Sequence, residues 1–248
     1  MAPEPSTTAL IIPALNEEAV LGQTLQRIPA ALYRVVIVAD NGSTDRTAEI
    51  ARLHGALVTS EPERGYGATC LKALAALPAE IQTVVFMQSD LSEDPAEAKH
   101  LLAPILDGRA DMVLGSRTVG HAERRALYAH QVFGNWLATS LIRVFYAYRY
   151  TDLGPYRAIR RDALERLRMR HRNYGWTIEM QVRALEEGLR IVEVPISYKI
   201  RAAGENKVSG NLRASIEAGA KIIWTVLRLW IRRRFGPQRR TVSTPEIQ

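Results

Sequence analysis

Short apolar runs alternate with amphipathic segments along the first half of the chain. Five runs rich in β-branched residues predict strands, at 9–12, 34–39, 56–59, 83–87 and 112–114. Four segments between them repeat apolar residues at helical spacing, at 17–28, 44–54, 67–77 and 94–106. This alternation predicts an α/β fold with a Rossmann-like, mostly parallel sheet flanked by helices. Right-handed crossovers then place the carboxyl ends of the strands along one edge.

The pattern changes after Gly115. Apolar and aromatic residues recur at helical spacing over 133–148 and predict a long amphipathic helix. A helix over 176–187, a strand over 190–196 and a last helix over about 211–234 are predicted to follow. The last helix carries basic residues on one face and apolar residues on the other, so we expect a C-terminal amphipathic helix. The tail 236–248 has two prolines and few apolar residues, and we expect it to be disordered.

Composition limits the class of protein. The chain has 248 residues and is 47% apolar, which suffices for a sizeable core. The single cysteine, Cys70, excludes an internal disulfide framework and a multi-cysteine zinc site, and it is typical of a reducing cytoplasm. The first residues lack a signal-peptide pattern, and the longest apolar-rich helical stretch, near 222–231, is too short to cross a bilayer. We therefore expect a cytoplasmic protein, soluble or peripheral at the inner face of the membrane.

The net charge of +7 is concentrated near the carboxyl end. The segment 199–240 has eleven Lys and Arg residues against two Glu residues, a local charge of +9. Such a segment points to an anionic partner: lipid headgroups, a phosphorylated substrate or nucleic acid. Tryptophans beside a cationic face are typical of an interfacial membrane helix, although a core-packing helix with a solvated face shows the same pattern. No base-stacking motif is present, so we expect a membrane surface as partner and no nucleic acid.

Polar residues follow the first two predicted strands at the point where each ends. The segment 13–18 follows the first strand, and the segment 40–45, which begins with Asp40, follows the second. Open α/β sheets bind ligands at this edge, so two neighbouring polar turns indicate a nucleotide pocket. Each turn alone also fits an ordinary strand-to-helix connection with a helix cap.

Together these turns resemble the nucleotide-binding half of the family 2 glycosyltransferases, which have the GT-A fold. The resemblance extends over about 9–230 and implies a nucleotide-sugar donor. It implies nucleotide-binding roles for Pro13, Leu15, Glu17, Asp40, Gly67, Gln88 and Ser89. The Gly65-Tyr66-Gly67 sequence begins a predicted helix, where backbone amides favour an anion, but a simple turn also explains it.

The segment 88–95 directly follows the fourth strand and departs from the family pattern. Family members usually have Asp-X-Asp here, and the two carboxylates hold a divalent cation that bridges the diphosphate. This chain has Gln88 at the first position and retains Asp90 at the second. The resemblance implies Mg²⁺ or Mn²⁺ at Asp90 and Ser92, with weakened affinity because Gln88 adds no charge. Three alternatives stay open: weak metal binding completed by the donor phosphates, neutralisation by Arg and Lys, or a degenerate inactive relative.

The acceptor-side motifs lie in the second half. Arg117 follows the fifth strand, where a guanidinium can bind phosphate bidentately. Asp152 and the segment 174–179 resemble the polyprenyl-phosphate glycosyltransferases, among them the dolichyl-phosphate mannose and glucose synthases. The resemblance implies catalytic roles for Asp90, Arg117, Asp152 and Glu179, and phosphate binding by Arg117, Arg201 and Lys207.

Glu179 admits more than one role. It suits a general base for a hydroxyl acceptor or a partner for the sugar hydroxyls. A carboxylate favoured by the helix N-terminus also explains it. A phosphate acceptor is already ionised and needs no base.

We expect one glycosyltransferase domain over 1–235, with a nucleotide-binding half over about 8–115 and an acceptor half over about 116–235. Its expected activity is an inverting, nucleotide-sugar-dependent hexosyl transfer to a lipid-linked acceptor, such as a polyprenyl phosphate. The alternatives are a catalytically impaired sugar-nucleotide-binding regulator and a transferase to a small soluble acceptor. The sequence leaves the base, the sugar, the acceptor and the oligomeric state open.

Overall fold

The computed structural model describes residues 6–123, 126–127, 129–173, 175–201, 223–228 and 230–231. The strands in this part of the chain are β1 (Thr8–Ala14), β2 (Val35–Asp40), β3 (Leu57–Ser60), β4 (Thr83–Phe86), β5 (Met112–Ala122), β6 (Arg157–Arg160) and β7 (Ile191–Tyr198). The α-helices are α1 (Leu21–Gln26), α2 (Thr47–Leu53), α3 (Tyr66–Ala75), α4 (Ala98–Leu106), α5 (Ala129–Tyr146), α6 (Arg161–Leu167) and α7 (Trp176–Glu186).

These strands form one sheet in the order β3-β2-β1-β4-β6-β5-β7. Neighbouring strands are parallel except β6, which runs antiparallel to both β4 and β5. β1 lies centrally, and its Ile11 pairs with Ile37 of β2 and Phe86 of β4. Successive β1 residues enter two different apolar clusters because strand side chains alternate between the faces of a sheet. The prediction of a mostly parallel sheet flanked by helices is confirmed.

Several elements differ from the sequence prediction. α1 begins at Leu21 rather than at residue 17, because the Glu17 carbonyl accepts the amides of Val20 and Leu21 in a turn. β5 continues to Ala122 instead of ending at residue 114, since β7 pairs along most of its length. Arg117 therefore lies within this strand, whereas the sequence predicts that it follows the strand. The sequence pattern does not predict β6 or α6. β6 is four residues long and two of them are arginines, so no apolar run marks it.

The predicted C-terminal helix is only partly described. Residues 223–228 and 230–231 are helical, and the rest of 211–234 and the tail 236–248 lie outside the described residues. Val226 is buried and the ring centroids of Phe145 and Trp230 are 5.0 Å apart, so this segment packs on α5, while Trp224 remains 63% exposed. No helix among the described residues has the length and apolar character needed to span a bilayer.

Candidate active site

The loops after β1 and β2 are interlocked by hydrogen bonds. The backbone amide of Asn16 donates to the Ser43 hydroxyl at 2.9 Å. The backbone amide of Thr44 donates to Oδ1 of the Asn16 side chain at 2.9 Å. The Glu17 amide donates to the Thr47 hydroxyl at 2.8 Å. These hydrogen bonds join the two polar turns that the sequence places at neighbouring strand ends. The turns therefore form one continuous wall at this edge of the sheet.

A cavity of about 340 Å³ lies beside this wall, at the carboxyl ends of β1, β2 and β4. Its lining consists of Pro13, Ala14, Leu15, Glu17, Asn41, Arg64, Gly65, Tyr66, Thr69, Gln88, Ser89, Asp90, Asn173 and Arg201. Five of the seven residues predicted to bind nucleotide are in this set. Asp40 and Gly67 are absent from the lining. Asp90, the predicted metal ligand, and Arg201, a predicted phosphate-binding residue, are part of it.

Asp40 and Asn41 have different structural roles in the turn after β2. The Asp40 carboxylate accepts the Ser43 amide at 3.2 and 3.3 Å and so stabilises the turn itself. Asn41 lines the cavity, and its side-chain amide donates to the carbonyls of Glu61 and Glu63 and accepts the Gly65 amide at 2.8 Å. Sequence analysis missed this brace, because an Asn before Gly42 is typical of any tight turn.

Gly65 and Gly67 allow another loop to approach the start of α3. A Cβ at Gly67 would lie 1.9 Å from the His171 carbonyl oxygen, and one at Gly65 would lie 2.1 Å from that of Arg172. The Ala68 amide donates to the Arg172 carbonyl at 2.8 Å. The glycines are thus required by close backbone packing, and a backbone carbonyl caps this amide of α3.

Glu179 holds the same loop. One carboxylate oxygen accepts the amides of Arg170 and His171 at 3.1 and 2.7 Å, and the other accepts Nε of Arg183 at 2.8 Å. The side chain is buried and does not line the cavity. Glu179 therefore influences the cavity through the position of residues 170–172.

The segment after β4 folds back on itself. Oδ1 of Asp90 accepts the Ser92 amide at 3.0 Å and the Ser92 hydroxyl, which also lies 3.1 Å from Oε1 of Gln88. The backbone amide of Gln88 donates to the Glu93 carboxylate at 2.8 Å. Burial raises the pKa of Glu93 to about 8, and the nearby Asp90 charge acts in the same direction. Side-chain oxygens of Gln88, Asp90 and Ser92 thus converge.

Arg201 enters the cavity from the end of β7. Its guanidinium bonds the Glu17 carboxylate and lies 3.2 Å from Oδ2 of Asp90. The preceding residue pair is anchored, since the Lys199 amide donates to the Ser92 carbonyl at 2.8 Å and the Ile200 amide donates to Glu123 at 3.0 Å. The predicted phosphate-binding Arg201 therefore lies against the predicted metal ligand. Lys207 lies outside the described residues.

The oxygen atoms near Asp90 suit a hard divalent cation but supply little charge. The described residues contain no group of three or more His, Cys, Asp or Glu side chains able to hold a metal ion. Gln88 and Ser92 add neutral oxygens to the single carboxylate of Asp90, a donor type that Mg²⁺ and Mn²⁺ accept. The set fits a cation that takes its remaining ligands from a bound anion.

Arg117 and Asp152, which the sequence predicts to lie on the acceptor side, bind each other. Nε and the backbone amide of Arg117 donate to Oδ2 of Asp152, and Nη2 donates to Oδ1, each at 2.8 Å. Burial disfavours the charged form of Arg117, but its hydrogen bonds to Asp152 and the Asp152 charge outweigh that effect and raise the pKa of the guanidinium. The two predicted catalytic residues thus form one unit.

Tyr198 connects this unit with the cavity. The guanidinium carbon of Arg117 lies 5.1 Å from the centroid of the Tyr198 ring, and the Tyr198 hydroxyl donates to Oε1 of Gln88 at 3.4 Å. Sequence analysis did not identify Tyr198, because the predicted strand ends at residue 196, short of it. The residues predicted to lie on the acceptor side are therefore neighbours of the residues that line the cavity.

An exposed aromatic pair, Phe133 and Trp136, lies on the part of α5 that bonds the loop of Asp152. The two side chains are 61% and 60% exposed, and their ring centroids are 5.8 Å apart. Between them in sequence, Asn135 accepts the Leu153 amide at 2.9 Å and donates to the Thr151 carbonyl at 3.4 Å. The same turn of α5 thus carries the aromatic pair and fixes the loop of Asp152.

Known proteins are similar to this chain in sequence and in fold. Residues 9–168 match the model of glycosyl transferase family 2. The chain is 38% identical over 209 residues to an uncharacterized glycosyltransferase of Mycobacterium tuberculosis, covering 84% of this chain and 93% of that protein. It is 30% identical over 226 residues to the polyprenol monophosphomannose synthase of Mycolicibacterium smegmatis, covering 84% of each.

A solved structure extends the comparison. Glucosyl-3-phosphoglycerate synthase from Mycobacterium tuberculosis, in complex with Mn²⁺, UDP and glucosyl-3-phosphoglycerate, matches with a TM-score of 0.72 and 25% identity. The match covers 90% of this chain and 80% of that one. With its GT-A fold and its match to the family model, the chain belongs to glycosyl transferase family 2 and is a glycosyltransferase.

Proposed function

We propose that this glycosyltransferase moves a sugar, with inversion, from a nucleotide-sugar donor to the phosphate of a polyprenyl lipid at a membrane surface. The observation that carries this proposal is the aromatic pair, Phe133 and Trp136, on the turn of α5 that holds the Asp152 loop through Asn135. Aromatic side chains favour the headgroup level of a bilayer. In this proposal Arg117, which is bonded to Asp152 of that loop, contacts the lipid phosphate.

Relatives support a lipid acceptor. The polyprenol monophosphomannose synthase is one, and the chain is also 29% identical over 214 residues to the undecaprenyl-phosphate mannosyltransferase of Micrococcus luteus. The basic segment 199–240 adds attraction to an anionic membrane surface.

The donor occupies the cavity in this proposal. Its nucleoside lies against the wall formed by residues 13–17 and Asn41, and its diphosphate lies towards Asp90 and Arg201. Asp90, with the neutral oxygens of Gln88 and Ser92, would hold Mg²⁺ or Mn²⁺ together with the phosphates. The cation would supply positive charge against the diphosphate leaving group.

Arg117 orients the acceptor. Asp152 fixes the guanidinium through Nε and Nη2, while Nη1 makes no hydrogen bond with the residues that the structure describes. A phosphate acceptor is ionised at neutral pH, so its attack on the sugar requires no general base. Glu179 then acts as a positioning residue through the loop 170–172, in agreement with its absence from the cavity lining.

A small soluble phosphorylated acceptor is the second candidate, because the structurally similar synthase from Mycobacterium tuberculosis was solved with glucosyl-3-phosphoglycerate. Arg117 would contact the phosphate group of either acceptor in the same way. The test incubates the purified protein with labelled UDP-, GDP- and dTDP-sugars and offers polyprenyl phosphate in vesicles or phosphoglycerate in solution. We expect an organic-soluble product. A water-soluble glycoside alone would refute the lipid acceptor, and nucleotide binding without turnover would favour the regulator.

A further inference from the structure

Arg201 joins two carboxylates inside the donor cavity. One guanidinium nitrogen bonds Glu17, and another lies 3.2 Å from Oδ2 of Asp90. Both acids are 6% exposed, and the arginine side chain is 22% exposed. We call this group of Glu17, Arg201 and Asp90 the carboxylate clasp.

The Glu17 backbone and the Asp90 carboxylate are each anchored independently of Arg201. The Glu17 backbone amide donates to Thr47, and its carbonyl accepts the amide of Leu21 at 2.9 Å at the start of α1. Oδ1 of Asp90 accepts the amide and the hydroxyl of Ser92. The two acids therefore stay near each other by virtue of the sheet, since they follow the neighbouring strands β1 and β4.

Two nearly buried carboxylates repel each other unless a cation lies between them. Arg201 supplies that cation from within the chain. The neutral Gln88, whose Oε1 lies 3.1 Å from the Ser92 hydroxyl, keeps a third negative charge out of the group. An Asp at position 88 would set three carboxylates against one guanidinium.

We propose that Arg201 is the resident counter-ion of the donor cavity, and that the carboxylate clasp and a divalent cation exclude each other at Asp90. An entering diphosphate competes with Glu17 and Asp90 for the same guanidinium. Arg201 then turns to the phosphates, and Oδ2 of Asp90 is released for the cation that accompanies them. Cation and nucleotide therefore bind together, and the nucleotide-free protein binds the cation poorly. This inference rests on the proposed donor site.

Mn²⁺ binding to the nucleotide-free full chain tests the exclusion, with free Mn²⁺ measured by electron paramagnetic resonance. Arg201→Gln removes the clasp cation. Arg64→Gln is the matched control, because Arg64 lines the same cavity and forms no ion pair with any residue that the structure describes. We expect Arg201→Gln to raise Mn²⁺ affinity by at least about tenfold, equivalent to about 1.4 kcal/mol, and Arg64→Gln by less than about threefold. Equal gains, or no gain with Arg201→Gln, would overturn the proposal.

A double-mutant cycle provides a second measurement without metal. Glu17→Gln should lower the Tm of the wild-type protein, and lower it less in the Arg201→Gln background, because its ionic partner is then already absent. Additive shifts in Tm would contradict the clasp. Neither measurement uses an acceptor or sugar transfer. Failure of the transfer assay therefore tests the proposed function alone, and failure of these two measurements tests the clasp alone.

Discussion

Arg117 and Asp152 lie 35 residues apart and form a bidentate ion pair, in which Nε and Nη2 each lie 2.8 Å from a different carboxylate oxygen. Asp152 is 1% exposed and also accepts the Leu153 amide at 2.7 Å. The Asp152 carboxylate therefore orients Arg117 and stabilises the loop that contains Leu153. Within the proposed function, Arg117 contacts the acceptor phosphate and Asp152 positions Arg117.

Asp152→Asn tests this arrangement. The substitution leaves a guanidinium that is 13% exposed without its counter-ion, and removal of one partner of a buried ion pair costs about 3 kcal/mol or more. Urea denaturation should show that loss in the free energy of unfolding. Asp162→Asn is the control, because its ion pair with Arg160 is exposed and should contribute less than about 1 kcal/mol. Similar small losses in both variants would contradict the prediction.

Glu179→Gln should destabilise the protein. The variant loses charge-assisted hydrogen bonds from two backbone amides and from Arg183, and we expect a loss of about 2 kcal/mol in the free energy of unfolding. Glu165→Gln serves as the control, since Glu165 is 67% exposed in its ion pair with Arg161. A drop in kcat of about a hundredfold with unchanged stability would instead identify Glu179 as a general base.

Gln88→Asp should raise the affinity for Mn²⁺ or Mg²⁺, because it restores a second charged oxygen ligand beside Asp90. Asp90→Ala should abolish metal-dependent transfer. Titration calorimetry in the presence of nucleotide measures the first effect, and a transfer assay measures the second. If the wild type turns over fully in excess chelator and Gln88→Asp changes nothing, phosphate neutralisation belongs to Arg117, Arg201 and Lys207.

The turn after β2 should be needed for nucleotide binding. Asp40→Ala removes the acceptor of the Ser43 amide, and Asn41→Ala releases the loop 61–65. We expect each to weaken nucleotide affinity by at least about tenfold, or 1.4 kcal/mol, in calorimetry. Asp107→Ala, in an exposed ion pair with Arg109, should leave it unchanged. An Asp40→Ala variant with wild-type affinity would exclude Asp40 from any role in the pocket.

The aromatic pair should contribute to membrane binding. Phe133→Ser and Trp136→Ser each remove apolar surface that a bilayer would bury, so binding to anionic vesicles should weaken by about tenfold per residue. Flotation measures the bound fraction, and added salt should weaken wild-type binding because of the basic segment 199–240. Leu53→Ser on α2, at a side chain 72% exposed, is the control. Equal losses in all three variants would refute a specific membrane face.

The sequence by itself determined that the polar turns after the strands lie at one edge of the sheet. Alternating strand and helix patterns require a mainly parallel sheet, and right-handed crossovers bring the carboxyl ends of its strands to one edge. The turn residues Pro13, Leu15 and Glu17 therefore reach the same cavity as Gln88 and Asp90. These positions depend only on periodicity and on where each strand stops, which local sequence reports.

The tertiary structure decided which side chains meet. Arg201 bonds Glu17, which lies 184 residues away in the sequence, and Asp90, which lies 111 residues away. Glu179 accepts the amides of residues 170 and 171 and does not line the cavity. β6, which no apolar run marks, separates β4 from β5 and β7 in the sheet. Periodicity shows which face of an element is buried, whereas a partner across the fold depends on strand order and register, and these arise only when the whole sheet assembles.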